Sequence, residues 1–160
     1  MRIIGHRHTG IIVNDIDRML DFYIGLGFVL RRRDLESGEF VNHLLSSKDL
    51  TIHTAKLILP DDRVPIPCQF NLELMKLADN QKDNLGDFVF DSFDFEQRNT
   101  GVLDIAFTVD DIEAVLKYIL DSGGDLISKP LQATAGFPAL HSYARDPEGN
   151  VLHIAQNISG

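Results

Sequence analysis

Residues 8–23, HTGIIVNDIDRMLDFY, align without a gap to residues 104–119, DIAFTVDDIEAVLKYI, at a constant offset of 96 positions. Val13 matches Val109, Asp15 matches Asp111, Ile16 matches Ile112 and Leu20 matches Leu116, four identities in sixteen positions. The shared local grammar says more than the identities. Each copy opens with a short run suited to a strand, Ile11-Ile12-Val13 and Ile105-Ala106-Phe107. A polar pair follows, Asn14-Asp15 and Asp110-Asp111, whose side-chain oxygens can cap a helix. Apolar residues then recur at helical spacing, as Ile16, Met19, Leu20 and Tyr23, and as Ile112, Val115, Leu116 and Ile119. Glycines at 25 and 27, and at 123 and 124, stop both helices. A chain that repeats strand, helix and stop must build one supersecondary unit twice.

Further strands are expected in the first half near 28–34, 54–60 and 70–77, and in the second near 125–128, 139–145 and 151–156. The stretch Asp146-Pro147-Glu148-Gly149-Asn150 has the residues of a tight hairpin turn, with proline presetting φ and glycine or asparagine tolerating positive φ. It locates the last strand and carries no chemistry. The whole is an α+β chain of two tandem βαβββ modules, with boundaries near 1–78 and 100–157 inside one domain of residues 1–160. The connection, residues 79–99, is rich in Asp, Asn and Gln but carries Phe88, Phe90, Phe93 and Phe95. Four phenylalanines are too many for a solvated linker and imply packing against the domain or a second subunit, with a substrate-facing lid as the alternative.

Composition narrows the function. A net charge of −9 argues against nucleic acid or an anionic membrane as partner, because phosphate binding needs clustered Lys and Arg. The one basic run, Arg31-Arg32-Arg33, reads as solvated arginines on an edge strand, with Arg31 and Arg33 sharing a face. No apolar run reaches the roughly 18 residues of a membrane span. The N-terminus turns polar too early for a signal peptide. The single cysteine, Cys68, allows no internal disulfide and no two-cysteine metal motif. These features together lead to the expectation of a cytoplasmic protein.

Three segments carry a family likeness: HTGIIVNDIDRMLDFYIGLGF at 8–28, NLELMKL at 71–77, and GVLDIAFTVDDIEAV with DPEGNVLHIAQ at 101–115 and 146–156. Together they span nearly the whole chain, which resembles the vicinal-oxygen-chelate superfamily of glyoxalases, bleomycin-resistance proteins and related dioxygenases. The resemblance implies a cup-shaped mixed β-sheet with flanking helices, and one divalent metal ion held by residues from the first and last strands of each module. Mapped position by position, those residues are His8, Glu73, Asp104 and His153. The usual pattern has His at the position of Asp104 and Glu at that of His153, so the second module departs twice, in opposite directions. The exchange keeps two imidazoles and two carboxylates, a set suited to zinc, nickel, cobalt, manganese or iron. Asp104 is shorter than an imidazole and could reach a metal through water.

Alternation places Glu73 opposite Leu72 and Leu74, and His153 opposite Leu152 and Ile154. His6 shares a face with His8 and is a reserve ligand. His43, His53 and His141 have no spacing that recommends them, although His141 falls near the expected rim of the cup. The resemblance further implies a homodimer and a small-molecule substrate that chelates through adjacent oxygens. The leading expectation is a metal-dependent lyase, isomerase or epimerase of the glyoxalase type, working through a metal-stabilised enediolate, with Glu73 as base and His153 as opposing acid or base. Two other classes stay open, an extradiol-like dioxygenase and a non-catalytic protein that binds a small molecule such as an antibiotic.

Overall fold

Asp15 and Asp111 start the two equivalent helices. Each side chain accepts a hydrogen bond at 3.0 Å from the backbone N–H three residues on, Arg18 and Ala114. In the computed structural model, which describes residues 1–2, 5–45, 49–78, 101–133 and 138–158, helix α1 runs Ile16–Gly25. Its counterpart α3 runs Ile112–Asp121. Both end the same way. Gly27 and Gly123 adopt φ of 96° and 90°, and their N–H groups bond back to Ile24 and Leu120. The next N–H of each, Phe28 and Gly124, reaches the carbonyl of Tyr23 and Ile119, completing a Schellman motif twice. Gly124 has a second reason to be glycine. A Cβ there would sit 2.3 Å from the carbonyl oxygen of Arg145.

The chain forms two compact units, Met1–Phe88 and Val89–Gly160. In the first, β1 (Thr9–Ile12), β2 (Val29–Ser37), β3 (Thr51–Leu59) and β4 (Phe70–Leu77) make a sheet in the order β1-β4-β3-β2. In the second, β5 (Ile105–Thr108), β6 (Asp125–Leu126), β8 (Ala139–Arg145) and β9 (Val151–Asn157) take the order β5-β9-β8-β6, and a short β7 (Leu131–Gln132) pairs with β8. The two sheets have the same βαβββ topology. The register repeats as well. The first strand runs parallel to the last, with Gly10 opposite Glu73 in one unit and Ala106 opposite His153 in the other. The 96-residue offset places His8 and Asp104 at equivalent positions, and the shared register does the same for Glu73 and His153, which are 80 residues apart.

Strand alternation sorts each sheet into two faces. In the first unit Ala55, Leu57, Leu72 and Leu74 are buried on the face over which α1 packs with Met19 and Tyr23. In the second, Ala144, Leu152 and Ile154 are buried with Ile112, Leu116 and Ile119 of α3. Each buried leucine, isoleucine or methionine among them contributes on the order of 1.5–3 kcal/mol on burial. The other face of each sheet is free for polar residues.

Besides β7, three features were not foreseen. Helix α2 (Glu39–Leu44) follows Gly38 and buries only Val41, too little apolar periodicity to read from sequence. Val41 joins Leu50 and Ile52, with Met75 and Leu77 against them, over one end of the polar face. In β2 the register slips between Leu30 and Arg32, so Arg31 occupies a bulge and simple alternation of Arg31 and Arg33 fails. The strand expected at 125–128 keeps its ladder only to Leu126, because Ile127 and Ser128 both donate to the carbonyl of Tyr143. The expected connection, residues 79–99 with its four phenylalanines, lies outside the described residues.

The Asp146–Asn150 turn matches expectation, and its buried aspartate ties it together. Asp146 accepts from the N–H of Glu148 at 3.0 Å, the N–H of Asn150 at 2.9 Å and the Asn150 side-chain amide at 2.8 Å. Gly149 supplies the positive φ of 93°. Asp146→Ala would strand those donors and is expected to cost about 3 kcal/mol, whereas loss of the exposed cap in Asp111→Ala costs about 1 kcal/mol. Urea denaturation of the two variants should rank them in that order, and equal losses would refute the role given to Asp146.

Candidate functional site

Strand alternation turns Glu73 to the face opposite Leu72 and Leu74 and sets it beside Lys56, its direct partner across β3 and β4. Glu73 is only 8% exposed. A buried carboxylate is costly without a positive partner, and the partner here is a lysine. Lys56 Nζ lies 3.3 Å from Glu73 and 2.7 Å from Glu36, with Asp34 at 3.6 Å. Arg32 closes on Asp34 at 2.8 Å. Burial alone would lower the Lys56 pKa, but the bonds to Glu36 and Glu73 outweigh it and hold the ammonium above the usual lysine value. On the other side of Glu73, His8 brings Nε2 to 3.4 Å from Oε2. The first unit thus presents a His8–Glu73–Lys56 row.

The second unit builds the same row from different chemistry. Asp104, the counterpart of His8, accepts a hydrogen bond from the Tyr143 hydroxyl. Tyr143 pairs directly with His153 and so occupies the position of Lys56. Its ring stacks on His153 with centroids 4.7 Å apart and planes 15° from parallel. His141, two residues along β8, brings Nδ1 to 2.9 Å from His153 Nε2. All four side chains are half-buried. Burial raises the Tyr143 pKa, and the negative charge of Asp104 and the bond to it push the same way.

The donor pairs have spacings a metal can use. Two donors bound at about 2.1 Å lie about 3.0 Å apart at a right angle and about 3.4 Å apart at the tetrahedral angle. The His8–Glu73 and His141–His153 separations fall at those two values. Among the described residues, no group of three or more His, Cys, Asp or Glu side chains is arranged to hold a metal. What the structure places together within each unit are pairs.

The remaining histidines stand apart from these rows. His6 stacks on Phe70 with ring centroids 5.9 Å apart. His43 is exposed on α2, and His53 is exposed on the face of β3 away from Lys56. The connection between β3 and β4 surrounds a separate cavity of about 580 Å3, lined by Arg63, Val64, Cys68 and Phe70 among others and by none of the expected site residues. Beside it, the hydrogen bond from Arg63 holds the Asp61 pKa down at about 2.

Sequence reasoning missed Lys56, Tyr143 and the pairing of His141. The last two were within reach. The Asp146–Asn150 turn sets Arg145 opposite Val151, which by counting back sets Tyr143 opposite His153. Lys56 offered no such signal, because a ten-residue connection with no tight hairpin turn separates β3 from β4.

The Tyr143 environment yields a titration test. Its raised pKa means that the stability it contributes is complete below the ordinary value of 10.0 and declines as pH rises through and beyond that value. Asp104→Asn removes the charge and should lower the Tyr143 pKa while burial keeps it above normal. Tyrosinate absorbance, with Tyr143→Phe as the subtraction control, checks this; an unchanged titration would disprove the Asp104 contact.

The sequence model of the Glyoxalase/Bleomycin resistance protein/Dioxygenase superfamily matches residues 7–140. No curated protein matches the chain in sequence. Among solved structures, a glyoxalase family protein from Bacillus cereus is similar over 99% of this chain and 97% of its own, at 18% identity and a TM-score of 0.80. A glyoxylase/bleomycin resistance protein/dioxygenase domain from Frankia sp. EAN1pec aligns over 99% and 96%, at 15% identity and a TM-score of 0.62. Glyoxalase I from Zea mays aligns over 97% of this chain and 45% of its own, at 20% identity and a TM-score of 0.60. At these identities the structural likeness establishes the fold alone. With the sequence model covering most of its length, the chain belongs to the glyoxalase/bleomycin resistance protein/dioxygenase superfamily.

Proposed function

We propose that the chain is a divalent-metal-dependent lyase or isomerase of the glyoxalase type, one domain of residues 1–160 acting on a small carbonyl substrate that chelates through adjacent oxygens. The observation that carries this reading is the repeated ladder. In both units a His or Asp just before the first strand, and a Glu or His on the parallel last strand, fall at the same two positions: His8 and Glu73, then Asp104 and His153. We take these four as the ligands. A divalent cation, when bound, supplies Lewis-acid polarisation of the substrate carbonyl and acidifies the neighbouring C–H.

Glu73 is the proposed base. Lys56 and His8 flank its carboxylate and restrict its orientation, so the proton is taken from one direction. His153 is the opposing acid or base, its ring held in plane by the Tyr143 stack. Asp104 is engaged by the Tyr143 hydroxyl, which fits a ligand that acts at one remove. One observation favours a second reading. Lys56 already supplies Glu73 with a counter-charge, so a protein that binds a small molecule without metal also accommodates this row.

Elemental analysis of protein purified without added metal separates the two. On the enzymatic reading, His8→Ala, Glu73→Ala and His153→Ala each lower metal content, and loss of the base lowers turnover by about 10² to 10⁴. Asp104→Ala does less. The double change Asp104→His with His153→Glu keeps donor number and charge and should retain metal. If the wild-type protein takes up no metal under saturating conditions, the binding-protein reading replaces the enzymatic one.

We also propose a homodimer. Phe40 and Leu44, one turn apart on α2, are 76% and 67% exposed, an apolar ridge that association would cover. No helix among the described residues is long and apolar enough to cross a membrane. Light scattering should give twice the 17.9 kDa chain mass; a single-chain mass at every concentration would overturn the proposal.

A further inference from the structure

We propose that His141 is a metal ligand, and that His141 Nδ1 and His153 Nε2 form a two-histidine site for a borderline divalent cation such as zinc, cobalt, nickel or copper. This deepens the reading above and rests on its assignment of His153. In that reading the second unit offers Asp104 and His153. The contacts point instead to His141 and His153 as the direct donors, with Asp104 one hydrogen bond removed through Tyr143.

Three observations carry it. The first is placement. His141 pairs with Ala155 and Tyr143 with His153, so His141 and His153 are diagonal neighbours on one face of the β8–β9 ladder, within reach of long side chains. The second is spacing. Their facing nitrogens are 2.9 Å apart, about the separation of two nitrogens bound at about 2.05 Å and at a right angle on one cation. To share a cation, the rings turn so that the two lone pairs, which face each other across the hydrogen bond, converge on it. The third is support. Tyr143 stacks on His153, and the His141 ring lies 26° from the His153 plane with centroids 5.1 Å apart, so one ring is braced and the other follows it. Both rings are half-buried, leaving an approach for a small ion.

Without metal, a neutral pair at this distance shares one proton, which one facing nitrogen donates to the other. For metal to enter, that proton moves to the far nitrogen of its own ring. Both facing nitrogens then offer lone pairs, and neither ring changes its net charge. The arrangement is peculiar to the second unit. Counting two residues back from Lys56, as His141 is two back from Tyr143, gives Thr54, which cannot replace an imidazole.

The test uses the full-length chain, stripped of metal and titrated with Co(II) by calorimetry, with Cu(II) added in parallel for electron spin resonance. His141→Ala should weaken Co(II) binding at least about tenfold and remove one imidazole nitrogen from the Cu(II) hyperfine pattern. His141→Gln, which keeps a polar side chain of similar reach, should lose the same nitrogen and serves if the alanine variant does not fold. If His141→Ala leaves affinity and hyperfine pattern unchanged while His153→Ala and His8→Ala weaken binding, the inference is overturned and the four-ligand proposal survives. Weaker binding with every nitrogen retained also overturns it, making His141 a positioning residue. No Co(II) or Cu(II) uptake by the wild-type chain overturns both.

Discussion

The parallel pairing of each module's first strand with its last is the constraint on which the rest of the structure depends. Parallel neighbours cannot be joined by a tight turn, so the chain must cross over through a helix before it returns. That crossover helix covers one face of the sheet, where Leu72 and Leu74, or Leu152 and Ile154, are buried. The opposite face is left to residues one step out of phase. The ladder sets Gly10 beside Glu73 and Ala106 beside His153, which brings His8 and Asp104, two residues earlier, to the same edge of that face. The polar rows thus follow from topology and alternation before any chemistry is considered.

On this common frame the two modules use different means of stabilising a half-buried polar row. The first uses charge. Lys56 sits among Glu36, Glu73 and Asp34, and removing the lysine would leave the buried Glu73 carboxylate without its nearest cation. Because its pKa is raised, the stability Lys56 contributes is complete below the usual 10.5 and is lost as pH rises through the higher folded value. The second module uses hydrogen bonds and stacked rings, Asp104 to Tyr143 to His153 to His141, with no lysine or arginine in the row. The first row is a compensated carboxylate and the second an imidazole-rich donor set. That division gives the two halves of one repeat separate chemical capacities.

Much of this was legible in the chain because it is local. The Asp15 and Asp111 caps, the glycines at 27 and 123, and the Asp146–Asn150 turn act over three to five residues, and each appears where its residues predict. Helix α2 escaped because one buried valine in six residues carries no period. The Arg31 bulge escaped because a register slip is decided between strands and leaves no mark within one.

The candidate site divides along the same line. The sequence by itself determined that there are two modules, that Glu73 and His153 face away from their leucines, and that His8 and Asp104 occupy matching places. Periodicity and the 96-residue offset suffice for that. Only the tertiary structure decided that the buried Glu73 has Lys56 as its cation and that Tyr143 engages Asp104. Those neighbours are joined across strands, and a cross-strand partner depends on hydrogen-bond register between segments whose separation in sequence carries no distance information. Where the linking turn is short and specific, as before β9, that register could be counted from the sequence. Where a ten-residue connection without a tight turn intervenes, as before β4, packing alone settles it.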